Sequence, residues 1–127
     1  MRRIVLDMQC TMFAEAISQA LSGSEPDFVI QRSESPDQTL TLCRSVLAHV
    51  LIMEVTGFAP WRLEDRLKLC SAVRQNLGQC KVLILVDEKA NTSLAESVKQ
   101  AKKDGLIDNF IFASVSPSYL AAVLDTL

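Results

Sequence analysis

No run of apolar residues in this chain approaches the ~20 needed to span a bilayer. Behind Met1-Arg2-Arg3, the stretch Ile4-Val5-Leu6 is far too short for the core of a signal peptide. Basic residues are not in excess: Lys and Arg number 13 against 15 Asp and Glu, a net charge of −2. That removes the electrostatic footprint of a nucleic-acid binder. Histidine occurs once, as His49, and Cys10, Cys43, Cys70 and Cys80 show no C-x-x-C spacing, so a zinc cluster is not expected. Without a secretory signal these cysteines read as reduced thiols, with Cys43 and Cys70 expected in the core. Glycine-rich phosphate loops of the P-loop or dinucleotide type are missing. So are linkers, internal repeats and low-complexity segments. The expectation is one cytoplasmic domain spanning residues 1–127.

What is present is alternation. His49-Val50-Leu51-Ile52-Met53-Glu54-Val55-Thr56-Gly57 carries an unbroken apolar run that ends at a carboxylate and soon meets a glycine. Such a run marks a strand buried on both faces. Arg3 to Leu6, Asp27 to Gln31, Val82 to Val86 and Phe110 to Phe112 are shorter runs of the same kind. Helical spacing fills the gaps. Phe13, Ile17, Ala20 and Leu21 share one face, and Gly23 followed by Pro26 predicts that helix's end. Ser35-Pro36 and Ser116-Pro117 each read as an N-cap with proline in the first helical position. Leu40, Cys43, Val46 and Leu47 follow the first of these, and Leu120, Val123, Leu124 and Leu127 the second. Leu63, Leu67, Cys70, Val73 and Leu77 line a third helix, with Gly78 predicted as its left-handed terminus. Ser93-Leu94-Ala95-Glu96 is a capping-box pattern for the fourth, which Gly105 stops.

Five strand–helix units in so short a chain imply an α/β fold: a flavodoxin-like, doubly wound, five-stranded parallel sheet with helices on both faces. Order 2-1-3-4-5 is the common solution, and it places a crevice outside the carboxyl ends of strands 1, 3 and 4.

Residues Gly105 through Leu120 then carry a family resemblance: a glycine closes helix 4, Phe110-Ile111-Phe112 follows, and a new helix starts after a short loop. With Arg3-Ile4-Val5-Leu6 and Glu15-Ala16-Ile17, this resembles the receiver domain of two-component response regulators over the whole chain. In that family an aspartate ending strand 3 accepts a phosphoryl group. Two acids after strand 1 hold Mg²⁺, a Ser or Thr ends strand 4, and Lys-Pro ends strand 5. Matched by position, Glu54 stands at the acceptor, Met8 and Gln9 at the acidic pair, and Val86 at the hydroxyl. Ala113-Ser114, or Phe112-Ala113 without an inserted residue, stands at Lys-Pro. The resemblance therefore implies a pseudo-receiver, degenerate at its phosphorylation site and not switched by aspartyl phosphorylation. Neither metal nor lysine would neutralise charge on a transferred phosphoryl group.

No cofactor is expected. Mg²⁺ enters only if strand 1 ends a residue earlier, when Asp7, Glu54 and Asp87 would surround the cation; the plainer reading makes Asp7 a strand-end residue and Asp87 a loop charge. Glu54 is either an imitation of the phosphorylated acceptor or a polar strand-end residue, and the second is favoured. Cys10, His49, Phe58 and Trp61 are weighed as site residues and read as structural. The resemblance implies a non-enzymatic signalling domain acting through a protein partner, or a homodimer, on the face of helix 4, strand 5 and helix 5. Lys99, Lys102, Lys103 and Tyr119 would lie there. An attached DNA-binding output domain and a free-standing adaptor are both compatible. The alternative is a small α/β enzyme or ligand-binding domain using the crevice near Asp7, Cys10, Glu54 and Asp87.

Overall fold

The strand runs predicted from apolar continuity pair as a single sheet in a computed structural model, which describes residues 2–24, 28–87, 92–113 and 116–127. The elements alternate without exception: β1 (Arg2–Asp7), α1 (Thr11–Ser24), β2 (Phe28–Arg32), α2 (Pro36–Val46), β3 (Val50–Val55), α3 (Leu63–Asn76), β4 (Lys81–Val86), α4 (Thr92–Lys103), β5 (Asn109–Phe112) and α5 (Pro117–Thr126). The sheet is parallel throughout, in the order β2-β1-β3-β4-β5 expected from the sequence. Pro26, Asp27 and Ser114 lie outside the described residues.

The pleat divides each central strand between two cores, because successive side chains point to opposite faces. Val5, Leu51, Met53, Val55, Val82, Ile84 and Val86 pack beneath α2, α3 and α4. Ile4, Leu6, Val50, Ile52, Leu83, Leu85 and Ile111 pack beneath α1 and α5. This is why β1, β3 and β4 read as continuous apolar runs rather than alternating ones. Each fully buried aliphatic side chain contributes about 1.5–3 kcal/mol. Cys43 and Cys70 are buried, as expected, and Cys80 joins them. A hydrogen bond with Cys80, then burial, holds the Cys43 thiol well above its ordinary range.

Helix ends depart from the expectations. Ser116 does cap α5, its hydroxyl accepting from Tyr119 N at 3.2 Å. Ser35 is the N-cap of α2 with proline behind it, but makes no side-chain cap bond. The capping box at Ser93 does not form, because α4 already begins at Thr92. Ser93 lies inside the helix, its carbonyl accepting from Ser97 Oγ. Gly23 lies within α1. Gly78 does not take the left-handed conformation; among the described residues Leu47, with φ 54°, and Gly105, with φ 77°, do. Leu47 closes α2, and Ala48 N then donates to Cys43 O. No helix among the described residues is long and apolar enough to cross a membrane.

Gly105 and Gly78 are a matched pair, since a methyl group added to either meets open space. Only the backbone angle differs. Gly105→Ala should lower stability by about 1 kcal/mol, and Gly78→Ala should be neutral or slightly stabilising. Urea unfolding of the two variants reads the contrast.

His49 joins β1 to the start of β3: its Nδ1 accepts from Arg3 N at 2.9 Å. Burial first, then the Arg3 guanidinium, lowers its pKa from the ordinary 6.5. The unfolded chain therefore takes up this proton at a higher pH than the folded chain does. The stability it contributes is whole above about pH 6.5 and is lost as pH falls through the depressed folded value. Thermal midpoints should drop as pH falls below about 6.5, and His49→Gln should flatten that slope.

Candidate functional site

The crevice at the carboxyl ends of the strands is built from opposite pleats. Asp7 ends β1 and shares the phase of Val5, so it faces α2 and α3. Glu54 lies one residue beyond Met53, the register partner of Asp7, and shares the phase of Val50 and Ile52. It faces α1. The two carboxylates therefore lie on opposite sides of the sheet.

Asp7 is spoken for. Its Oδ2 accepts from Arg66 Nη1 at 2.7 Å and from Thr39 Oγ1 at 2.6 Å. Arg66 Nη2 donates to the Asp7 carbonyl at 3.0 Å, and Arg66 Nε to the Glu54 carbonyl at 2.8 Å. Asp7 and Arg66 are each only 1% exposed. Ser33 Oγ, 2.7 Å from Thr39 Oγ1, extends the network to the β2–α2 loop. A buried ion pair offsets its desolvation only when every remaining donor and lone pair is satisfied. Here no buried side-chain nitrogen or oxygen among the described residues lacks a partner.

Glu54 does something else. Its Oε1 accepts from Gln9 N at 2.8 Å and from Cys10 N at 3.1 Å. Those amides lead into α1, where a carboxylate is also favoured by the helix dipole. Glu54 thus straps the β1–α1 loop to β3. This is more than the tolerated polar strand end expected from the sequence.

The remaining predicted positions fall as follows. Met8 is half-buried and Gln9 and Cys10 are exposed. Val86, buried, ends β4 beside Val55 and Phe112. Ala113 N donates to Val86 O at 2.9 Å, and Asp87 is exposed just past β4. The structure does not assemble Asp7, Glu54 and Asp87 into a metal-binding group; among the described residues no three His, Cys, Asp or Glu side chains form one. The pleat is the reason for the first two. The loop 56–61 is closed by its own bonds, Thr56 N to Trp61 O at 2.8 Å and Trp61 N to Phe58 O at 2.9 Å. It leaves Phe58 73% exposed, whereas Trp61 lines a polar crevice of about 440 Å³ with Asp7, Gln9, Thr11, Arg32 and Ser33.

Arg66 and Thr39 were not among the residues the sequence singled out. Both had a signal. Arg66 is in helical phase with Cys70, Val73 and Leu77, and Thr39 with Cys43. A charged or hydroxyl residue on such a stripe is buried only when partnered.

Comparison with known proteins bears on the fold. No protein-family model and no curated protein sequence matches the chain. Among solved structures the fold is that of receiver domains. A CheY-like response regulator receiver protein from Methanospirillum hungatei superposes with a TM-score of 0.78 at 13% identity, covering 99% of this chain and 92% of that one. The chemotaxis protein CheY4 of Vibrio cholerae gives 0.77 at 16%, covering 99% and 98%. A LuxR-family DNA-binding response regulator of Staphylococcus aureus gives 0.75 at 16%, covering 99% and 98%. At these identities the likeness is one of fold.

Removing Arg66 alone strands a buried carboxylate. Arg66→Met should cost about 3–5 kcal/mol, whereas Asp7→Leu combined with Arg66→Met should recover most of that loss. A double-mutant cycle by urea unfolding measures the coupling.

Proposed function

We propose that the chain is a pseudo-receiver, a signalling module in which an arginine serves where relatives of the fold use a divalent cation. On this reading it is not switched by acyl phosphorylation, and it acts through protein contacts. The Arg66–Asp7 pair carries the proposal: at 2.7 Å and fully buried, it commits the only acid at the end of β1. The residues present do not fit Mg²⁺, which wants several oxygen ligands in near-octahedral array. Met8 supplies none, and the Asp7 carboxylate already neutralises a guanidinium. Val86 and Ala113 bring neither a hydroxyl nor an ammonium to a phosphoryl group. Glu54, already accepting two amide protons, acts as a fixed anion that holds the β1–α1 loop.

The working surface in this reading is α4, β5 and α5. Lys99 lies 5.8 Å above the Phe112 ring and Lys102 5.8 Å above Phe110, so cations and apolar rings share one face. Tyr119, 54% exposed, stands on the adjoining helix. A cytoplasmic protein partner or a second copy of the chain would dock there, with Lys103 at the edge, and an attached output domain for transcription regulation is one destination of the signal. The net charge of −2 argues against direct contact with nucleic acid. One observation favours the second reading, a small ligand-binding or enzymatic domain: the 440 Å³ polar crevice has the size of a ligand site.

Incubation with acetyl phosphate or beryllofluoride and Mg²⁺ tests the first reading. Intact mass should not change, and amide spectra should show no saturable response. A phosphoryl adduct on Glu54, or saturable Mg²⁺ binding lost in Asp7→Asn, would overturn it. Light scattering over a concentration series, repeated with Lys102→Glu, reads self-association through the α4–β5–α5 face; a saturable thermal shift with a small polar ligand and no self-association would favour the second reading.

A further inference from the structure

The face of the sheet opposite Arg66 contains a space that the proposed signalling role does not use. A cavity of about 110 Å³ lies between α1 and α5 over β4 and β5. Ile17, Leu85, Ile111 and Leu120 form its buried floor, and Phe13 and Ala16 stand at its mouth. The alanine at the mouth leaves the space open to the surface. The polar side chain on its lining, Ser116, already accepts from Tyr119 N. Among the described residues the lining offers a water molecule few polar partners, so an apolar occupant would displace water that is weakly held.

We propose that this cavity binds a small uncharged apolar molecule, about the size of one aromatic ring. Chemistry sets the class: among the described residues the lining offers aliphatic and aromatic contact and no charged side chain, so anions, cations and sugars find no charge to pair with there. Size sets the occupant. A specific protein interface buries on the order of 1,200–2,000 Å², and a space that takes one ring anchors a single small ligand rather than a partner helix. The volume is of the order of the ~150 Å³ of enclosed engineered cavities that take up benzene, although this one opens to the surface on one side. Bound there, a ligand would join α1 to α5 through contacts both helices make with it. This inference stands on the cavity alone and is independent of the receiver reading.

Benzene is the probe, added to the full chain in sealed cells and followed by calorimetry and by methyl NMR. The expected result is a saturable rise in the thermal midpoint. Methyl shifts should be confined to Ile17, Leu85, Ile111 and Leu120. Ala20→Leu, which adds bulk to the α1 wall, should weaken binding about tenfold or more, a difference of one decade in Kd. If that variant does not fold, the methyl map of the unsubstituted protein decides alone. The proposal is overturned if no saturable response is seen, if the shifts map elsewhere, or if a folded Ala20→Leu binds benzene unchanged. It is equally overturned if the same methyls respond to protein concentration but not to benzene, which would make the cavity a contact between copies.

Discussion

The Asp7–Arg66 ion pair is the constraint on which the carboxyl edge of the sheet depends. It joins β1 to α3 directly, α2 through Thr39, and β3 through the Glu54 carbonyl. Three of these elements come from distant parts of the chain, so the pair fixes tertiary placement rather than local structure. Its geometry meets the condition for a tolerable buried charge pair: a short charge-assisted bond, a further donor on the carboxylate, and carbonyl acceptors for the other two guanidinium nitrogens. Whatever chemistry the crevice performs must work around a charge that has already been neutralised from within.

This arrangement separates two kinds of information in a sequence. The sheet was readable because strands leave a coarse mark, an apolar run of three to five residues, most continuous in the central strands, and five of them in alternation with helical spacing leave few topologies. The starts at Ser35-Pro36 and Ser116-Pro117 were readable because proline's fixed φ suits the first helical position. The Ser93 capping box was misplaced because the helix already begins at Thr92, two residues before the Leu94 that a Ser93 cap would place first. Gly78 misled for a related reason. Glycine permits the left-handed conformation without requiring it, and Leu47 adopted that conformation although its side chain disfavours it.

The site was less legible than the scaffold. The family resemblance matched Glu54, Met8, Gln9, Val86 and Ala113 to site positions, yet gave no account of what Glu54 bonds or of who faces Asp7. Arginine on a helix is ordinarily solvent-facing, so Arg66 drew no notice despite lying in phase with the buried Cys70 and Val73. Long-range pairing of this kind, between residues 59 apart in the chain, has no local signature. The pleat adds a second lesson. Residues 7 and 54 end adjacent strands, but a one-residue difference in phase sends their side chains to opposite faces.

Glu54 sits across that divide. Its carbonyl oxygen belongs to the guanidinium on the α3 side, while its carboxylate holds the amides that precede α1 on the other. One residue of β3 thereby bonds to elements on both sides of the sheet, to α3 through its backbone and to the β1–α1 loop through its side chain. A displacement of α3 or of the β1–α1 loop would therefore bear on the same residue, without any side chain crossing the sheet.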